Sequence, residues 1–165
     1  MRLFGFGLLL ASLALMATGG LRADDKDKDK EELIKKDLKK LEGNWKMVRQ
    51  DHEGTEDSGP SIKKNGVLFD GKEYTFLRDG KTKVSTATVS IDPTRDPKEI
   101  DLKVTSGTAT GGTHLGIYRF TEDGRLEICM NQARGKGSDK RPTKFTTKPS
   151  VVSGSLMYVL EKEKE

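Results

Sequence analysis

The stretch THLGIYRFTEDGRLEICMN, residues 113–131, contains two runs of strand-forming residues on either side of Asp123-Gly124. Aspartate followed by glycine favours a tight turn, because glycine adopts positive φ values without steric cost. The stretch therefore predicts a β-hairpin made of residues 113–121 and 125–131.

The same two-residue period continues along most of the chain after Gly43. It is clearest at residues 99–105, where Ile100, Leu102 and Val104 alternate with polar residues. A second turn signal, Asp70-Gly71, joins two runs at 67–69 and 73–78. Further strands are expected at residues 44–50, 83–91, 143–147 and 155–161, of which 143–147 has the weakest pattern.

Eight or nine short strands separated by turns predict an all-β sandwich or barrel. No helical stretch between the strands is long enough for a crossover, so the pairing is expected to be antiparallel. Closing an eight-stranded meander removes its unpaired edges, and the interior of such a barrel is either filled by side chains or holds one small ligand. The periodicity leaves both kinds of interior open.

The first 23 residues have the layout of a secretory signal peptide. Arg2 is followed by an apolar run from Leu3 to Ala17 and then by small residues. Cleavage is expected after Ala23, with Gly19 as the alternative position. An uncleaved anchor is the competing interpretation, although the run is shorter than the about 20 residues of a spanning helix. We therefore expect an extracytoplasmic protein, periplasmic or secreted, without a stable membrane span after cleavage.

Two short segments separate the signal peptide from the strands. Residues 24–30, DDKDKDK, have no apolar side chain and are predicted to form a charged flexible tether. Ile34, Leu38 and Leu41 then recur at helical spacing, which predicts a short helix that caps the β domain. The domain itself is expected to span residues 31–165.

The charge balance argues against a nucleic-acid partner. The chain has 30 Lys and Arg against 26 Asp and Glu, a net charge of +4. Loss of residues 1–23 removes Arg2 and Arg22 and no acid, which lowers the net charge to +2. Nucleic-acid binding would require a clustered basic face, whereas the charges here are interspersed.

No residue constellation predicts catalysis or a bound metal, and no cofactor is expected. His52 and His114 are the only histidines, and they lie in unrelated sequence contexts. No serine of the chain lies in the elbow motif that presents the nucleophile of a hydrolase. Together with the single cysteine, Cys129, they do not form a closed metal set. Cys129 lies in an apolar run and is interpreted as an inert, partly buried thiol. A reactive thiol or an intermolecular disulfide is the alternative.

The run Leu41-Glu42-Gly43-Asn44-Trp45-Lys46 places a Gly-x-Trp at the start of the first strand, directly after the helix. It resembles the opening motif of lipocalins, whose tryptophan packs across the closed end of a barrel. The resemblance implies a barrel rather than a sandwich. In lipocalins an arginine of the last strand stacks on the tryptophan, and in this chain Lys162 is the candidate for that place.

A wider pattern over about residues 41–162 resembles a family of small exported domains, known mainly from planctomycete bacteria and without an assigned activity. This resemblance implies a lipocalin-like β fold and implies no substrate. After the Gly-x-Trp, the segments that carry it are Val67-Leu68-Phe69-x-Gly71-x-x-Tyr74, Ile91-Asp92-Pro93-Thr94, Pro97-Lys98-x-Ile100-Asp101-Leu102, Leu115-Gly116-Ile117-Tyr118, Leu126-x-Ile128-Cys129 and Arg141-Pro142-Thr143-x-Phe145.

Five residues are candidate ligand contacts: Trp45, Tyr74, Tyr118, Arg141 and Tyr158. The aromatic residues could line an interior, and buried tyrosine hydroxyls need partners, so a polar ligand group could enter there. Arginine suits a carboxylate or a phosphate. The alternatives are core packing for the aromatic residues and, for the arginine, anchoring of backbone carbonyls or of an acidic neighbour. The glycine-rich residues 107–112 lead into a strand, so they are interpreted as a hairpin loop at the barrel mouth rather than a phosphate loop.

Two functional hypotheses follow, with an uncharacterised hydrolase as a third. In the first, the barrel holds a small apolar or amphipathic ligand. In the second, the domain is an envelope-associated interaction or structural module with a filled barrel and an envelope protein as its partner. An interior cavity would favour the first hypothesis, and a filled interior with a contiguous exposed apolar patch would favour the second.

Overall fold

The structure is a computed structural model that describes residues 23–131, 140–148 and 154–164. The expected signal peptide therefore lies outside the described residues, apart from Ala23. The described chain begins with one α-helix, α1 (Ala23–Leu41), and continues with nine strands and a short 3-10 helix at Ile62–Lys64. The strands are β1 (Gly43–His52), β2 (Thr55–Asp57), β3 (Gly66–Asp70), β4 (Glu73–Arg78), β5 (Thr82–Asp92), β6 (Lys98–Ser106), β7 (Thr113–Phe120), β8 (Leu126–Asn131) and β9 (Ser155–Lys162).

All the strands belong to one antiparallel sheet that closes on itself. From β3 to β9 each strand pairs with the next along the chain. Strand β1 pairs with β3 on one side and with β9 on the other, while β2 pairs with β1 alone. Strands β1 and β3–β9 therefore form an eight-stranded barrel, and β2 is an additional strand at its rim. The predicted antiparallel barrel with a helix on its N-terminal side is confirmed.

The helix is longer than the sequence pattern indicated. It begins at Ala23, so residues 24–30, which were expected to form a flexible tether, are helical. Lys39 and Lys40 in the last turn of the helix suit its dipole. Lys30 also contacts the barrel, because its Nζ lies 2.8 Å from Oδ2 of Asp92 at the end of β5. These interactions need no apolar side chain, which is why the absence of apolar residues was misleading.

Two strand assignments differ from the sequence prediction. Residues 143–147 form no strand; they cross the outside of the barrel, where Phe145 packs against Ile117, Cys129 and Met157. Strand β2 was not predicted, because its three residues are all exposed and show no alternation.

The closed end of the barrel is built around Trp45. Its Nε1 donates a hydrogen bond to the Leu41 carbonyl at 2.6 Å, which ties the end of α1 to the start of β1. The ring is buried and lies 6.4 Å from that of Phe120. Lys162 Nζ lies 5.5 Å from the centre of the indole. Trp45 therefore links α1 to the first strand, and Lys162 of the last strand lies over its ring.

Candidate ligand cavity

A cavity of about 330 Å³ lies inside the barrel at the end opposite α1. Its walls come from the inner faces of β4 to β9 and from the loop between β6 and β7. The apolar lining residues are Phe76, Ala87, Leu102, Val104, Met130 and Leu156, and the polar ones are Tyr74, Ser85, Thr86, Thr108, His114 and Tyr158, with Ala109 in the loop. Thr108 and Ala109 belong to the glycine-rich stretch 107–112, so its predicted position at the barrel mouth is confirmed.

Small residues on β5 explain why this part of the barrel is not filled. Ser85 and Ala87 stand on the cavity side, directly opposite Phe76 and Tyr74 of β4. An eight-stranded barrel has an interior that large side chains alone can fill. With a hydroxymethyl and a methyl group at these positions, the wall leaves space between β5 and the aromatic residues.

Tyr74 and Tyr158 reach the cavity from strands that are not neighbours in the sheet. Their side chains are almost completely buried, with 5% and 8% exposed. The Tyr158 ring stacks on Phe76 at 6.1 Å, and the Tyr74 ring meets Phe69 edge to face at 5.4 Å. Burial raises the pKa of both phenols, and Tyr158 further raises the pKa of Tyr74. Both hydroxyls are therefore protonated and able to donate a hydrogen bond at neutral pH.

His114 lies at the mouth of the cavity, at the second position of β7. The side chain is half-buried, and burial lowers its pKa below the usual value, against the opposing effect of a backbone hydrogen bond at Asn131. A histidine with a lowered pKa is neutral at neutral pH. The mouth of the cavity is therefore polar there without carrying a charge from this residue.

The other three candidate contacts lie away from the cavity. Trp45 is at the closed end, as described above. The Tyr118 hydroxyl donates a hydrogen bond at 2.8 Å to Asp37 of α1, a buried carboxylate that also accepts one from Lys98 Nζ at 2.7 Å. The expectation that a buried hydroxyl needs a partner holds at Tyr118, but the partner is a helix carboxylate and not a ligand.

Arg141 is on the outside of the barrel. One of its terminal nitrogens donates a hydrogen bond to the Gly116 carbonyl at 2.6 Å and lies 2.6 Å from Oδ1 of Asp101. Its Nε is 3.4 Å from Glu99. The Ile100 carbonyl also accepts a hydrogen bond from Arg141, at 3.3 Å. Arg141 therefore anchors two carbonyls and two acidic neighbours, which was the alternative to ligand recognition.

A bulge in β1 changes which of its side chains face the barrel interior, and the sequence pattern missed this change. The pairing of β1 with β9 shifts between Met47 and Arg49. After this shift Gln50 stands opposite Tyr158, and residues that face each other across an antiparallel pair share one side of the sheet. Gln50 therefore belongs to the inner face, whereas strict alternation from Trp45 would place it outside.

The described residues outside the cavity offer neither a metal site nor a membrane-spanning helix. Among residues 23–131, 140–148 and 154–164, no group of three or more His, Cys, Asp or Glu side chains is arranged to hold a metal ion. Within the same residues, no helix combines the length and the apolar character needed to cross a bilayer. The large apolar side chains exposed there are Leu33 on α1 and Val84 on β5, which lie on different elements.

No family model, curated protein or solved structure matches this chain.

Proposed function

We propose that this protein is an exported, lipocalin-like domain that binds a small apolar or amphipathic ligand inside its barrel. The observation that carries the proposal is the cavity of about 330 Å³ beside Tyr74 and Tyr158. This volume is at the lower end of the about 300–1,000 Å³ that ligand sites occupy. The apolar walls would contribute affinity, and the few polar groups would orient the ligand.

The alternative, an envelope-associated domain with a filled barrel, is less well supported. It requires a packed interior and a contiguous apolar patch on the outside. The interior has a cavity instead, and the two exposed large apolar side chains of the described residues are on separate elements.

Native mass spectrometry of protein purified from its own host tests the proposal directly. We expect a retained small molecule, seen as a mass above that of the polypeptide and lost on denaturation. A second test fills the cavity: Ala87→Leu should abolish binding of an apolar fluorescent probe, because the added side chain enters the space beside Tyr74.

Thr88→Leu is the matched control, since Thr88 is the next residue of the same strand and is exposed on the outer face. Both variants should keep the wild-type free energy of unfolding, measured in urea, to within about 1 kcal/mol. Equal probe binding by wild type and Ala87→Leu would place the probe elsewhere and contradict a barrel site.

The export part of the proposal rests on residues 1–23. N-terminal sequencing of the protein from fractionated host cells should give a mature chain that begins at residue 24, or at residue 20 if the alternative site is used. An intact Met1 on soluble cytoplasmic protein would overturn it.

A further inference from the structure

The two cavity tyrosines have hydroxyls without a protein partner. Among the described residues, neither the Tyr74 nor the Tyr158 hydroxyl has a hydrogen bond, and their contacts are those of the rings. Both side chains are more than nine-tenths buried and line the cavity. Neither hydroxyl oxygen is among the completely inaccessible unpaired side-chain atoms of the described residues, so both open onto the cavity and can bond a molecule held there.

The hydroxyl of Tyr118, in contrast to those of Tyr74 and Tyr158, has a structural role. That hydroxyl points towards the closed end and is bonded to the Asp37 carboxylate. Neither the Tyr74 nor the Tyr158 hydroxyl has a hydrogen bond of this kind to a described residue, although Gln50 stands opposite Tyr158 across the β1–β9 pair. The unused donors therefore face the space that the proposed ligand would occupy.

The lining described for the cavity carries no formal charge. Among its described residues there is no Lys, Arg, Asp or Glu, and His114 is the one group that could become charged near neutral pH. An anionic group placed there would lose its hydration without gaining an oppositely charged partner from these residues. That loss is far larger than the loss for a neutral carbonyl or hydroxyl group.

We propose that the ligand is uncharged and carries a hydrogen-bond acceptor, such as a ketone, ester or alcohol oxygen, that is bound by the Tyr74 and Tyr158 hydroxyls. This inference rests on the proposed function, because it specifies the ligand of the same cavity. The raised pKa values of both phenols agree with it, since each hydroxyl keeps its proton for donation.

Three probes of nearly identical shape test the inference. All three are naphthalenes substituted at the same ring position. One is the methyl ketone, one the hydrocarbon with an isopropenyl group, and one the carboxylate. The hydrocarbon replaces the carbonyl oxygen by a methylene group, and the carboxylate replaces the methyl group by a charged oxygen. Their dissociation constants for the full mature chain are measured by equilibrium dialysis at neutral pH.

We expect the ketone to bind about fivefold more tightly than the hydrocarbon, as for one net neutral hydrogen bond. The carboxylate should bind at least about 30-fold more weakly than the ketone, because its desolvation is not compensated. In the double variant Tyr74→Phe/Tyr158→Phe, the ketone and the hydrocarbon should bind within about twofold of each other. Tyr118→Phe is the control and should keep the wild-type ketone preference, since its hydroxyl is bonded to Asp37.

The outcomes separate this inference from the proposed function. Equal binding of ketone and hydrocarbon to wild type, or a ketone preference that survives the double variant, would overturn the inference and leave a purely apolar site. Tighter binding of the carboxylate would also overturn it. If none of the three probes binds, the proposed function fails together with the inference. Single Tyr74→Phe and Tyr158→Phe variants identify the donor if the double variant does not fold.

Discussion

The interior tyrosines differ in what their hydroxyls contact. Replacement by phenylalanine is therefore expected to change the free energy of unfolding differently at Tyr118 and at Tyr158. The Tyr118 hydroxyl is bonded to a buried carboxylate, and the Tyr158 hydroxyl has no bond to any described residue. Removal of a hydroxyl bonded to a charged group costs about 1.5–3 kcal/mol, whereas removal of an unpaired one costs little.

We therefore expect Tyr118→Phe to lower the free energy of unfolding by about 1.5–3 kcal/mol and Tyr158→Phe to leave it unchanged or raise it slightly. Urea unfolding followed by the fluorescence of Trp45, the only tryptophan, measures both variants. Equal losses in the two variants would show that the Asp37 contact contributes no stability.

Lys162 is the second residue whose role can be tested alone. Its Nζ is 5.5 Å from the Trp45 ring centre and 3.3 Å from the Lys40 carbonyl. The side chain is exposed, so a cation–π contact here is worth about 0.5–1 kcal/mol. We expect Lys162→Ala to lose that amount and Lys162→Arg to retain it, because a guanidinium also stacks on an aromatic face. Lys164→Ala, in the same exposed tail, should have no effect on the urea midpoint.

Individual residue roles were predictable where a resemblance supplied the distant partner and unpredictable where nothing in the sequence marked one. Trp45 and Lys162 could be paired because the Gly-x-Trp resembles a motif whose tryptophan is covered by a basic side chain of the last strand. Asp37 could not be identified, since Lys98 and Tyr118 follow it by 61 and 81 residues. In the sequence it is an ordinary acid on a charged helix.

At the level of elements, the two-residue period and the turn signals identified all eight barrel strands, including β8 and β9, which are buried on both faces for most of their length. The period failed where the geometry departs from regular alternation. The bulge in β1 inverts the inner and outer faces after Met47 without any proline or glycine to mark it. The segment 143–147 has the composition of a strand, yet it packs one aromatic residue on the outer surface.

The attachment of α1 to the barrel predicts a pH effect. Hydrogen bonds from Lys30 and then Thr94 lower the pKa of Asp92 to about 2 in the folded protein, from an unperturbed value of 3.8. A lowered folded-state pKa means that the contribution to stability is present above about pH 4 and is lost as the pH falls towards about 2. Because Lys30 is 44% exposed, solvent screening limits that contribution to at most about 1 kcal/mol.

We expect Lys30→Ala to reduce amide hydrogen-exchange protection in the first half of α1 at neutral pH. The difference from wild type should shrink as the pH falls from about 4 to about 2, because Asp92 becomes protonated in both proteins. Lys28→Ala, on the exposed side of the same helix, is the control and should not show this change. A difference that stays constant over that pH range would exclude Asp92 as the partner.

At the level of the whole molecule, barrel closure joins the first strand of the described chain to the last. Strand β1 pairs with β9, so the closed sheet is complete only after the last strand has been made. Each strand of the barrel is held on both sides, which predicts cooperative loss of the sheet rather than fraying from an edge.

Two probes at different places in the molecule test this cooperativity. Trp45 reports on the closed end. Cys129 is fully buried on the outer face of β8, below Phe145, and burial raises the pKa of its thiol to about 11. A buried thiol that keeps its proton is unreactive, so Cys129 should react with a thiol reagent only in unfolded molecules. We expect the urea midpoints from Trp45 fluorescence and from Cys129 labelling to coincide. If Cys129 were labelled at much lower urea, the segment 140–148 would open independently of the barrel, and the outer cluster would be a separate unit of stability.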